Sequence, residues 1–267
     1  MGNFSPRNLR KTVLKMAYSG STVHVPCAFS IVEICSVIYS RFLNTGNATN
    51  DPTRDYFVLS KGHGVMSVYA CLKELGWLSE SDIENYFKDG SKLKGLSDCH
   101  VKGLEVTSGS LGHGLSVAVG IALGLKFRKT NQKVYCLVGD GESNEGAVWE
   151  ALLFAAHWKL NNLIVIFDCN GFQAMGETKE IMNLGSMSEK LRAFNFETEE
   201  IDGHNEKQIT LTLEKFMGSK TDQPKAIVAN TVKGKGISFM EGQNYWHYTR
   251  LNTDTYTAAL KELGDLS

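Results

Sequence analysis

Apolar residues recur along this chain in two rhythms. Over Leu9 to Ala17, and again over Ser30 to Phe42, they return every third or fourth position, which predicts two helices with one buried stripe each. Tyr56-Phe57-Val58-Leu59-Ser60 is instead a short, nearly unbroken apolar run, the pattern of a strand buried on both faces. It is followed by Lys61-Gly62-His63-Gly64 and by a helical stretch from Val65 to Leu75. Ser79-Glu80-Ser81-Asp82, ahead of Ile83, has the form of a helix cap. Gly109-Ser110-Leu111-Gly112-His113-Gly114 opens a longer helix reaching about Arg128, with small residues that permit close packing. A strand over 134–138, a helix over 146–159 and a strand over 163–167 come next, spaced as a right-handed crossover between parallel strands. Ala226 to Thr231 predicts a later strand.

Strands alternating with helices indicate an α/β fold, a largely parallel central sheet with helices on both faces. With four prolines in 267 residues, no linker-like tract and no internal repeat, residues 1–267 are expected to form a single domain. A net charge of −1 gives no electrostatic reason to expect nucleic acid or an anionic membrane as partner. The six cysteines form no CxxC pair, and several sit inside apolar runs as small buried hydrophobes of a reducing compartment would. No signal-like segment and no membrane-length apolar run stands out, so a soluble cytoplasmic protein is expected.

The chemistry concentrates where two apolar runs end. Val134 to Val138 leads into Gly139-Asp140-Gly141, and Leu163 to Phe167 leads into Asp168-Cys169-Asn170. Parallel strands would set Asp140 and Asn170 side by side at their carboxyl ends, the rim at which open α/β sheets bind ligands. A carboxylate and an amide oxygen there can hold a hard cation, and Mg²⁺ is usually completed by phosphate oxygens. The flanking glycines let the backbone turn sharply and approach a ligand closely. Gly-Asp-Gly and Asn170-Gly171 are also ordinary turn sequences. It is their place after two buried strands that favours a site for a divalent metal and a diphosphate.

Gly139-Asp140-Gly141-Glu142-Ser143-Asn144-Glu145-Gly146, followed by Asn170, resembles the thiamine-diphosphate binding motif. More narrowly, the chain resembles the amino-terminal half of transketolases, in the split form where that half is a separate subunit. Four more segments agree in order: Ser60-Lys61-Gly62-His63-Gly64, Ser108-Gly109-Ser110-Leu111-Gly112-His113-Gly114, Thr231-Val232-Lys233-Gly234-Lys235-Gly236, and Tyr18-Ser19-Gly20 through His24. The resemblance implies a pyrophosphate-domain fold, with thiamine diphosphate and Mg²⁺ (or Ca²⁺ or Mn²⁺) as cofactors. It implies Asp140, Asn170 and the backbone carbonyl of Phe172 as metal ligands, with Gly141 and His63 at the diphosphate. Gly109 and Leu111 would lie against the aminopyrimidine, and Glu145 would reach across to the pyrimidine-binding domain. His24 and His247 would line the sugar channel as catalytic imidazoles.

Plainer roles exist for several of these. His63 suits a turn, Glu145 suits the first turn of a helix, and His247 beside Trp246 could simply pack. His24 needs the insertion Ser21-Thr22-Val23 relative to the family pattern. Lys233 and Lys235 read as a solvated basic turn, and His100, His113, His157 and His204 as structural or undecided. The resemblance further implies two-carbon ketol transfer from a ketose phosphate. It implies as partner a C-terminal transketolase subunit, the pyrimidine domain, in an α₂β₂ assembly. That partner would supply the glutamate that engages the aminopyrimidine.

Three positions depart from the family pattern. Gly95-Leu96-Ser97 stands where Gly-His-Pro is usual, Trp246-His247-Tyr248-Thr249-Arg250-Leu251 where Trp-His-Gly-x-Ala-Pro is usual, and His113 where Gln is usual. Losing a sugar-contacting imidazole at Leu96 changes what the channel can discriminate. The acceptor is therefore expected to be an aldose or a modified sugar: a keto-sugar, a deoxysugar or a nucleotide-linked sugar. Two other activities share parts of the pattern, the α subunit of a 2-oxo acid dehydrogenase and a non-catalytic cofactor-binding regulatory subunit.

Overall fold

The computed structural model describes residues 2–47 and 50–264. Its elements, in chain order, are α1 (Pro6–Ser19), α2 (Val25–Phe29), α3 (Val32–Val37), β1 (Tyr56–Leu59), α4 (Val65–Glu74), α5 (Glu80–Glu84), α6 (His113–Phe127), β2 (Val134–Gly139), α7 (Gly146–His157), β3 (Leu163–Cys169), α8 (Thr178–Met182), α9 (Met187–Ala193), β4 (Glu197–Asp202), α10 (Glu206–Gly218), β5 (Lys225–Asn230) and α11 (Thr253–Glu262). Local chemistry explains several boundaries. Ser5 caps α1 through the Asn8 amide and Pro6 occupies its first turn, where a missing N–H costs nothing. Ser79 and Asp82 close a reciprocal capping box on α5.

The five strands form one sheet, all parallel, in the order β1-β2-β3-β5-β4. In β3, Ile164 and Ile166 join a core shared with α1, α3, α4 and α10, while Val165 and Phe167 join a second core under α6, α7 and α9. Alternate residues of one strand thus feed opposite faces, which is why the strands are apolar without interruption. The expected α/β sandwich is the observed one. No helix among the described residues is long and apolar enough to cross a membrane.

Two expected boundaries move. The helix read from Gly109 begins at His113, because Gly112 sits at φ 86° and cannot continue a helix backwards. Residues 109–112 instead run along the sheet rim. The helix read over Ser30 to Phe42 begins at Val32 and widens into a π-helical turn over Ile38–Phe42.

Helix α6 reaches the rim because Gly114 lets it press on the end of β1: a Cβ there would stand 2.6 Å from Ser60 Cα. Gly114→Ala is expected to destabilise the fold by about 1–3 kcal/mol through overpacking. Urea denaturation checks this, and an unchanged midpoint would contradict the close approach.

Candidate functional site

Parallel register brings the carboxyl ends of β1, β2, β3 and β5 to one rim. Gly139 pairs with Asp168 and Cys169 with Asn230, so the segments after β2, β3 and β5 leave the sheet together. Asp140 follows β2, and its amide donates to the Asp168 carbonyl at 3.1 Å. Its carboxylate accepts from the Gly141 amide at 2.8 Å and from the Gly171 amide at 2.7 Å, the latter presented by a glycine at φ 80°. Burial, reinforced by the negative charge of Asp168, pushes the Asp140 carboxyl up to about 7.

Asp168 is completely buried and is held by four side chains from four separate segments. Lys61 Nζ donates to Oδ2 at 2.5 Å, Ser30 Oγ to the same oxygen at 2.8 Å and Asn170 Nδ2 at 2.9 Å, while Thr231 Oγ1 donates to Oδ1. Burial opposes its charge, yet Lys61 and these hydrogen bonds hold its carboxyl below the usual range. The bond from Asn170 Nδ2 also orients that amide. Its Oδ1 accepts from the Phe172 amide at 3.0 Å, and Asn170 lines the cleft beside Asp140.

A cleft of about 530 Å³ opens over this rim, lined among others by His24, His63, Leu96, Gly109, Leu111, Asp140, Gly141, Asn170, Phe172 and His247. Of the residues expected to act at the site, Glu145 stands outside it, and of the positions that depart from the family pattern His113 and Arg250 do not line it either. Glu145 is exposed at the N-terminus of α7, its Cβ facing Gly112. Three imidazoles cluster on one wall, with ring centres 5.1 Å apart for His24 and His247, 5.6 Å for His24 and His63, and 6.1 Å for His63 and His247. Burial, with Lys61 and Lys233 nearby, drives the His63 and His247 pKa values down, so both rings are neutral. His24 holds its place at φ 70° as the N-cap of α2, its amide donating to the His247 carbonyl at 3.2 Å.

Several groups that matter here are ones the sequence pattern does not single out. Glu142 is buried: its carboxylate accepts from the Gly112 amide at 2.9 Å, the Gly139 amide at 3.0 Å and Ser60 Oγ at 2.5 Å, clamping residues 109–112 against the turn after β2. In sequence it looks like any acid at a helix start. Lys233 is only 1% exposed, so the solvated basic turn expected for Lys233 and Lys235 is corrected for Lys233. Its ammonium is enclosed by the Gln173 carbonyl, Asn244 Oδ1, His247 Nδ1 and the Phe172 ring, while Lys235 stays partly exposed beside Glu241. Leu96 lines the cleft and lies 2.8 Å from where a Gly109 Cβ would stand, so Gly109 makes room for it.

The donor set fits a hard cation and a diphosphate. The buried carboxylate of Asp140 has backbone hydrogen-bond donors but no ion pair among the described residues, and Asn170 and Phe172 line the cleft beside it. Gly141 is bare toward the cleft, where a Cβ would meet Gln173 Cγ at 3.0 Å, and Gln173 Nε2 is buried without a partner.

Comparison with known proteins agrees with this geometry. Residues 7–265 match the family described as Transketolase, thiamine diphosphate binding domain. The chain is 41% identical over 260 residues to one subunit of an apulose-4-phosphate transketolase of Actinobacillus succinogenes, covering 96% of this chain and 93% of that one. It is 36% identical over 259 residues to one subunit of a 6-deoxy-6-sulfo-D-fructose transketolase of Clostridium sp. (strain MSTE9), covering 96% and 93%. Among solved structures, a transketolase from Leishmania mexicana superposes with a TM-score of 0.89 at 27% identity, over 97% of this chain and 40% of that one.

Asp168→Ala would strand Lys61 in the interior, and is expected to cost about 3–5 kcal/mol, read by urea denaturation. A loss under about 1 kcal/mol would show the pair to be dispensable. For Asp140 the linkage runs the other way. A folded pKa raised above 3.8 to about 7 means that the metal-free chain loses stability as pH rises between those values. Asp140→Asn is therefore expected to raise the metal-free melting temperature by an amount that grows from about pH 4 to about 7 and then levels off. A gain independent of pH would contradict this.

Proposed function

Because the chain belongs to the transketolase family through its thiamine-diphosphate-binding domain, we propose that it is the diphosphate-anchoring subunit of a two-subunit transketolase. The observation that carries this reading is the single cleft in which Asp140, Asn170, His63, Gly109, Leu111, His24 and His247 converge from separate segments. Asp140, Asn170 and the Phe172 carbonyl would hold the divalent cation, Mg²⁺ or its analogues, and Gly141 and His63 would meet the diphosphate. Bound there, thiamine diphosphate supplies the electron sink that carries a two-carbon ketol unit. Leu96, Leu111 and Met175 give the adjoining wall an apolar surface, with Leu96 and Met175 still open to solvent until a partner covers them. His24 and His247, both facing this wall, would bind the oxygens of the sugar.

Leu96 and Tyr248 alter the channel, and two relatives at 41% and 36% identity are named for a sugar phosphate and for a sulfonated keto-sugar, respectively. We take the substrates to be ketoses with an anionic group, with a modified or keto-sugar as acceptor. The same relatives are named as subunits, and this chain carries a surface in keeping with that. Phe127, Phe154 and Trp158 form an exposed aromatic group on α6 and α7, with Phe127 64% exposed, and Leu153 and Val117 extend it. Met175 at the cleft and Ile181 and Met182 on α8 are further exposed apolar residues. A pyrimidine-domain subunit covering both faces, in an α₂β₂ assembly, would complete the site, and Glu145 lies on the rim where such a partner would meet it. The six free cysteines, four of them buried, fit a cytoplasmic setting.

Mixed with its pyrimidine-domain subunit, Mg²⁺ and thiamine diphosphate, the chain is expected to transfer a ketol unit from a ketose phosphate to a sugar acceptor. By itself it is expected to turn over nothing. His63→Ala in the reconstituted enzyme should weaken cofactor binding by about tenfold or more in calorimetry, since it removes a hydrogen bond to a charged group. Transfer from a 2-oxo acid to lipoamide instead, or no Mg²⁺-dependent binding with the partner present, would overturn the reading.

A further inference from the structure

His247 is 7% exposed, and its ring has two nitrogens in different surroundings. Nδ1 faces inward, 2.9 Å from Lys233 Nζ and 3.7 Å from Cys27 Sγ. Nε2 has no partner among the described residues and is not among their buried unpaired atoms, so it opens on the cleft that His247 lines. Which nitrogen carries the proton is decided by what Nδ1 meets.

Three directed bonds decide it. Asn244 Nδ2 donates to the Ala174 carbonyl at 3.1 Å, which turns Asn244 Oδ1 toward Lys233. Lys233 Nζ then has three neighbours for its three hydrogens: Asn244 Oδ1 at 2.9 Å, the Gln173 carbonyl at 3.4 Å and His247 Nδ1. Two of the three can only accept, and an ammonium has no lone pair with which to accept from the third. The other neighbour of Nδ1 is the Cys27 sulfur. Burial raises the Cys27 pKa, so it remains a thiol, at most a weak partner of Nδ1 in either sense. The strong neighbour is Lys233, and toward it Nδ1 can only accept.

We infer that Lys233 is a positioning residue that holds His247 in the tautomer protonated on Nε2, so that His247 meets the sugar as a neutral hydrogen-bond donor and not as a base. Protonation of Nδ1 would place a hydrogen against the ammonium, and the ring's depressed pKa, lowered by burial and then by the Lys233 charge, agrees. The buried cation after β5 thus acts at the substrate through another side chain. The assignment rests on the proposed function only in taking the cleft as the sugar channel.

Nitrogen-15 labelling of the seven histidines and long-range proton–nitrogen correlation at neutral pH test the tautomer on the isolated chain, with no partner or substrate needed. The His247 signals are identified by their loss in His247→Gln. The expected pattern is that of a neutral ring protonated on Nε2. In Lys233→Met, where only the weak thiol partner remains, the pattern should shift toward a mixture of tautomers, the other histidine signals reporting that the fold is intact. In the reconstituted enzyme, Lys233→Met and His247→Gln should each lower kcat/KM for the sugar about tenfold or more, and the double variant should be no worse than the poorer single one. A wild-type ring protonated on Nδ1, a Lys233→Met pattern identical to wild type, or fully additive losses would each overturn the proposal. Failure of ketol transfer with the NMR pattern intact would count against the function and not against the tautomer.

Discussion

The rim of this sheet depends on one buried ion pair. Lys61 and Asp168 are 1% and 0% exposed and meet at 2.5 Å, and neither could stay charged in the interior without the other. A buried pair of this kind stabilises little by itself compared with an apolar replacement. Its use here is geometric. Asp168 collects Ser30 from the end of α2, Lys61 from the end of β1, Asn170 from the end of β3 and Thr231 from the end of β5. Four loops that would otherwise move separately are tied to a single carboxylate, which also orients the Asn170 amide beside Asp140 at the candidate metal position.

A second tie sits on the other side of the cleft. Glu142 fastens residues 109–112 to the turn after β2, so the wall holding Gly109 and Leu111 is fixed relative to Asp140. Between the two carboxylates the cleft has an anchored floor and one anchored wall. Met175, on the cleft, and Ile181 and Met182, on α8, are by contrast exposed.

Much of this is legible in the sequence because it repeats local rules. The strands ending at Gly139 and Cys169 announce themselves as unbroken apolar runs, and glycine-flanked Asp140 and His63 sit at the turns such runs require. Asp140, Asn170, His63, Gly109, Leu111, His24 and His247 do meet in one cleft. β4 escapes such a reading because Glu197-Thr198-Glu199-Glu200-Ile201-Asp202 is an edge strand in which only Thr198 and Ile201 are buried, leaving no apolar run. α10 and α11 each carry a helical rhythm with a buried side. The charged interior carries no such local signal. Lys61, Glu142, Asp168 and Lys233 look like surface charges in a linear string, and only packing between segments far apart in the chain makes them buried ties.

The open rim has a thermodynamic consequence. If the remaining wall of the cleft belongs to a second polypeptide, the free energy by which that polypeptide tightens the grip on cofactor equals the free energy by which cofactor tightens the grip between the polypeptides. Binding constant and assembly constant are then two readings of one quantity. Scarcity of the vitamin-derived cofactor would loosen the complex itself, so that the amount of assembled enzyme follows nutrient supply with no dedicated regulator.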